Sequence, residues 1–219
     1  MPDDTKPDAT PVPAPPAAEA EPAAPAAPAA EAKPAAPAAA PRPAAPAKAP
    51  VPTPQPWDSD IAKRMKERFG DAILEATSYL GDNFLVVDAQ RIEEICFSLR
   101  DDEKFNMLAD LTAADYPKKD KRFEVIYQLY SFSVNQRLRV KAAVAENEPI
   151  ATVVPVWKGA NWMEREVYDM FGVTFSGHPD MRRILLPEEW QGFPLRKDMH
   201  ILQQDDQWVR ENLNIESGQ

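Results

Sequence analysis

The chain holds one cysteine, Cys96, in 219 residues. A lone thiol excludes an intramolecular disulfide, and it excludes a cysteine-ligated iron–sulfur cluster built by this chain alone. Glycine is scarce too, at seven residues, and no G-x-G-x-x-G or P-loop pattern occurs, so nothing argues for a nucleotide cradle. Long apolar runs are absent. The longest are pieces such as Phe84-Leu-Val-Val87, far short of the roughly 18 residues of a membrane span. Positive charge is in deficit: the net charge is −10, of which −8 belongs to residues 57–219, which speaks against a nucleic-acid role. No Gly-x-Ser-x-Gly exists, and Ser176 has only His178 nearby, so nucleophilic catalysis has no support.

Aromatic residues are missing altogether from residues 1–56, which carry 18 of the 24 prolines and much alanine. Proline removes the amide donor and fixes φ, so alanine's helix preference cannot act there. With so little apolar bulk to offset ordering entropy, a disordered tail of polyproline II character is expected, able to reach about 170 Å at roughly 3.1 Å per residue. Asp3, Asp4 and Asp8 argue against a secretory signal, and one arginine against six acids argues against a mitochondrial presequence. The tail reads as a bacterial-type extension that tethers or spaces.

Residues 57–157 suit a globular α+β domain. Ser59 is placed to cap a helix carrying Ile61, Met65 and Phe69, ended by Gly70. Ile73 to Leu80 and Phe84 to Val87 read as strands turning at Gly81-Asp82. Asp88 is placed to cap a second helix to about Leu99, with Cys96 on its apolar stripe as core filler. Phe105, Met107, Ala109 and Leu111 alternate with polar residues as a strand, and Arg122 to Phe132 is apolar on both faces, as a central strand is. Leu138, Val140, Ala142 and Val144 alternate in a last strand, paired antiparallel through a short connection. This order predicts a mostly antiparallel sheet with helices packed on it, followed by an extended irregular C-terminal arm.

Residues 158–219 form the third part. The stretch Glu164 to Asp198 packs charges, aromatics, three prolines and three glycines into an irregular path. Asn161 as N-cap with Glu164 three residues on resembles a capping box, in a helix stopping at Gly172. Glu164, Glu166, Asp169 and His178 are the right ligand types for zinc or iron, but their spacing fits no helix-borne metal pair, and His178 before Pro179 reads as a structural histidine. Arg182, Arg183, Arg196 and Lys197 join Trp190 and Phe193 in a composition typical of interface anchors. An arm of this kind is expected to lie on a neighbour's surface; the competing reading is that it wraps its own domain.

Glu164-Arg-Glu-x-x-Asp169, Met170-Phe171, His178, Arg182 and Ile184-Leu185 resemble the signature of the C subunit of NADH-quinone oxidoreductase, respiratory complex I. Pro194-Leu-Arg-Lys-Asp198 fits as well, as does Arg122-Phe-Glu-Val-Ile-Tyr127 leading into Arg137-Leu-Arg-Val-Lys141. The resemblance implies a cofactor-free member of the hydrophilic arm of a proton-translocating NADH:quinone oxidoreductase, with no catalytic, cofactor-binding or metal residues of its own. FMN and iron–sulfur clusters would lie on other subunits, and the arm would lie over the large, hydrogenase-like D subunit that forms the quinone site. Glu164, Arg165, Glu166, Asp169, His178, Arg182, Arg183, Trp190, Phe193, Arg196 and Lys197 are the interface candidates. Localisation would be peripheral, on the cytoplasmic face of the bacterial inner membrane. Two rival readings are the equivalent scaffold of a membrane-bound hydrogenase and a free-standing metalloenzyme using Glu164, Glu166 and His178.

Overall fold

A computed structural model describes residues 53–199 and 206–213; the expected tail, residues 1–56, lies almost wholly outside them. The order begins with β1 (Gln55–Pro56), α1 (Asp60–Phe69), β2 (Ile73–Tyr79), β3 (Asp82–Val87) and α2 (Ile92–Asp101). It continues with β4 (Met107–Asp115), β5 (Phe123–Ser131), β6 (Gln136–Val144), β7 (Ile150–Ala151), α3 (Ala160–Phe171), β8 (Phe175–Ser176) and α4 (Asp206–Leu213). The fold is α+β. Its main sheet has six strands in the order β1-β2-β3-β6-β5-β4, and β7 and β8 form a second small sheet.

Local chemistry sets these elements. The Ser59 side chain accepts the Ala62 amide and starts α1, which buries Ala62, Met65 and Phe69. Leu80 and Gly81, at φ 53° and 88°, make the β2–β3 turn. The turn therefore falls one residue earlier than the Gly81-Asp82 expected, because a two-residue turn of this hand needs positive φ at both central positions. Asp88 accepts the Gln90 amide and opens a 3₁₀ turn, Ala89–Arg91, that leads into α2. Cys96 is fully buried there, and burial pushes its thiol well above its ordinary pKa, so it is inert.

Two features depart from the sequence reading. First, β6 pairs antiparallel with β5 as expected, but its other edge pairs parallel with β3, a neighbour the sequence did not indicate. The sheet is thus mixed, with antiparallel pairs in the majority. Second, β4 changes phase. A bulge between Leu108 and Asp110 puts Leu108 and Leu111 inward and leaves Met107 and Ala109 outside, against the alternation expected from Met107. Inward residues of β5 and β6 meet α1 and α2 in one core that includes Leu85, Ile92, Leu99, Phe123, Val125, Tyr127 and Val140. Helix α3 packs beside β4.

Candidate partner-binding surface

Helix α3 carries the signature and ends at Gly172, whose left-handed backbone (φ 76°, ψ 21°) terminates it as the sequence predicts. Its start differs. Gly159 is the N-cap, and no side chain caps the helix, so the capping box of Asn161 and Glu164 does not form. Glu164 turns inward instead. Its carboxyl accepts the Thr152 hydroxyl at 2.5 Å and the Val153 amide at 2.7 Å, which holds the 152–154 strap against α3. Burial raises Glu164 to a pKa of about 7, against the opposing pull of those two donors.

His178 lies beside it, with its side chain fully buried and Nε2 4.0 Å from Glu164 Oε2. The Asp180 amide donates to Nδ1 at 3.0 Å, which leaves the ring proton on Nε2, facing the Asn161 carbonyl at 3.1 Å. His178 is thereby a hydrogen-bonded structural histidine, the role read from its sequence context.

Asp169 organises the arm. Its Oδ2 accepts the amides of Ile184, Leu185 and Leu186 at 3.0, 2.7 and 2.9 Å, and Arg183 reaches Oδ1 at 2.7 Å. Burial alone would raise this carboxyl, but the three amides and the guanidinium together hold it below its ordinary value. Arg165 ties the same loop from the other side, donating to the carbonyls of Arg182 and Arg183. The guanidinium groups of Arg183 and Arg196 both stack on Phe193, and Trp190 is buried against Trp208.

The end of the arm returns to the main sheet. The Lys197 amide donates to Asp115, Asp198 pairs with Arg122, and Arg196 pairs with Glu146 while reaching the Phe171 carbonyl at 2.6 Å. Arg122, with its side chain 11% exposed, joins Asp115, Glu146 and Asp198. Sequence reasoning missed Asp115, Glu146 and Thr152, and gave Arg122 a place in a strand and in the family resemblance but no partner. The one available signal was an acid and a base flanking the β4–β5 turn.

The described arm, residues 177–199, thus wraps its own domain. Glu164, Asp169, His178 and most of Arg183 and Arg196 are enclosed within this chain, which corrects their expected place on a surface. What remains outward is Glu166, Arg182 and Lys197, with part of Arg165. Around them Trp162, Leu185 and Leu195 are 62%, 62% and 54% exposed, and Arg165 stacks over Trp162.

Known proteins share the segment that builds this surface. Residues 85–205 match the family described as the respiratory-chain NADH dehydrogenase 30 Kd subunit. The chain belongs to that family. Among relatives of this 30 Kd family, the C subunit of NADH-quinone oxidoreductase from Geotalea uraniireducens is 45% identical over 136 residues, covering 62% of this chain and 83% of its own length. The C subunit from Brucella ovis is 46% identical over 144 residues, covering 65% and 71%. A similar fold occurs in a solved chain of the membrane-bound sulfane sulfur reductase, an archaeal respiratory membrane complex. That chain has a TM-score of 0.58 and 24% identity, with 71% of this chain and 91% of that one covered. Among the described residues no helix is long and apolar enough to cross a membrane, and no three potential ligand side chains converge as a metal site.

Proposed function

We propose that this chain is a structural component of the hydrophilic arm of a proton-translocating NADH:quinone oxidoreductase, and that it contributes no chemistry of its own. The whole complex would carry electrons from NADH through FMN and iron–sulfur clusters on other subunits to quinone. This chain would stabilise that assembly, lying against the large quinone-site (D) subunit and its iron–sulfur neighbours on the cytoplasmic face of the inner membrane. Family membership supports the setting. The observation that carries the structural role is how the signature is used. Most of its ionisable residues, Glu164, Arg165, Asp169 and His178 among them, are spent on folding the arm, while Glu166, Arg182 and bulky apolar side chains stay outward. Outward Trp162, Leu185 and Leu195 beside Arg182 have the makeup of an interface core with a charged rim.

The lone, buried Cys96 fits this division of labour, since a cluster needs several thiolates and a reactive thiol needs exposure. Depletion of the chain from cells tests the proposal. Membranes should lose NADH:quinone activity and the intact complex, and both should return when the chain is re-expressed. Unchanged activity and complex size after depletion would contradict it.

A further inference from the structure

A second surface, sharing no residue with the signature on α3 and the arm, has the features of a binding groove. The β2–β3 turn, the β5–β6 turn and the start of β4 all lie at one end of the main sheet, because β3 and β6 run parallel from it and Met107 pairs with Tyr130. Four large apolar residues are exposed there: Leu80, Met107, Phe132 and Val134, at 72%, 40%, 65% and 55%. At this end a groove of about 600 Å³ is walled by Met107, Ala109, Tyr130 and Phe132, with Arg137, Arg139 and Asp82 on its rim. Its size is that of a pocket able to enclose a ligand group or a few side chains, which span about 300–1,000 Å³.

The walls are held in place. Phe132 meets the Tyr130 ring edge-on at 5.0 Å, the Tyr130 hydroxyl donates to Asn135 at 2.6 Å, and the Phe132 amide donates to Asn106. A bulky aromatic fixed in an outward position is ready to bind without further ordering. The rim gives the sign of the partner. Arg139 is engaged by Gln128 and Asp82, but Arg137 is exposed and has no hydrogen-bonding or ionic partner among the described residues. An uncompensated guanidinium beside an apolar groove, on a chain of net charge −10, is locally complementary to a carboxylate.

We infer that this groove receives a segment of a neighbouring protein in the complex, one that inserts a bulky apolar side chain and sets an Asp or Glu against Arg137. The inference rests on the assembly role proposed above and adds a second docking point to it, and its test separates the two. A photo-reactive amino acid placed at Phe132 of the full chain, expressed in its own cells, should cross-link to one other protein in the purified complex. The mapped site should carry an apolar residue next to an acid. Arg137→Glu should weaken retention of the chain in the complex about tenfold, and a Lys at the mapped acid should restore it. Phe132→Asp should do the same without moving the melting temperature of the free chain, since Phe132 is mostly outside. Cross-links confined to a second copy or to this chain's own residues 1–52 would overturn the inference, as would full retention of both variants. A complex in which the unmodified chain is present but position 132 links to nothing would overturn it while leaving the assembly role standing. A chain that co-purifies with no complex would overturn both.

Discussion

Replacing Glu164 with glutamine probes the centre of the fold through its pH dependence. In the folded chain Glu164 holds its proton up to a pH of about 7, against an ordinary value of 4.5, because burial disfavours the charge. In the unfolded chain the proton leaves near the ordinary value. Between the two the folded state holds a proton that the unfolded state has released, so the contribution is complete below 4.5 and is lost as pH rises through 7. A shift of that size corresponds to about 3 kcal/mol in all, at roughly 1.4 kcal/mol per pH unit. Glutamine matches the protonated acid in shape. Its carbonyl can accept the Val153 amide, and its amide group can donate to the Thr152 hydroxyl oxygen. Urea unfolding of the full chain and of Glu164→Gln at pH 5, 6, 7 and 8 isolates the effect, since every other titrating group is common to both. The stability of the variant relative to the parent should rise with pH by about 2.5 kcal/mol across this range and level off above neutrality. A difference that stays flat, or falls with pH, would refute the buried neutral carboxyl.

Four further outcomes are expected. Asp169→Ala should destabilise the chain by about 3–5 kcal/mol by chemical denaturation, because it leaves the buried Arg183 guanidinium and three backbone amides unpaired. Arg183→Ala should destabilise the free chain for the same reason, whereas Arg182→Ala, whose partner Asp180 is an exposed near neighbour, should leave thermal melting unchanged and lower only the yield of assembled complex. Gly172→Ala should loosen the arm: the added Cβ would stand 2.5 Å from an Arg196 nitrogen and 2.6 Å from Phe193, at a φ of +76°, so limited proteolysis should cut within residues 190–199 far faster than in the parent. Arg122→Lys should release the Asp198 end, read as faster amide exchange at Lys197, since a lysine cannot fork to Asp115 and also reach Glu146 and Asp198.

Sequence alone carried the elements whose causes are local. Ser59 and Asp88 as caps, Gly172 as a helix stop, the alternation in β6 and the apolar stripe around Cys96 are each fixed by residues within one turn or one strand. Contacts between distant parts of the chain were not legible. Nothing near β6 announces that β3 is its parallel neighbour, since that pairing is chosen by how the whole sheet closes over α1 and α2. The phase of β4 was misread because a bulge leaves no mark when the residue inserted is an alanine. The largest misreading concerned the arm. Its three prolines forbid a regular element, which was read correctly, but irregular backbone was then assigned to a neighbour's surface. Asp169 supplies instead what a strand would have supplied, accepting three successive amides, and Arg122 and Arg196 hold the rest from far away in sequence. Glu164 was read as a capping residue and not as an inward one, because a capping carboxylate and a buried one look identical in a row of letters.

Lysine-directed cross-linking of the native complex, read by mass spectrometry, tests the central claim most directly. Lys197 is exposed next to the outward face of the arm, and Lys158 precedes α3. The account predicts links from these lysines to the large quinone-site subunit. Finding both lysines linked only within this chain, in a complex where the other proteins link to one another, would contradict it.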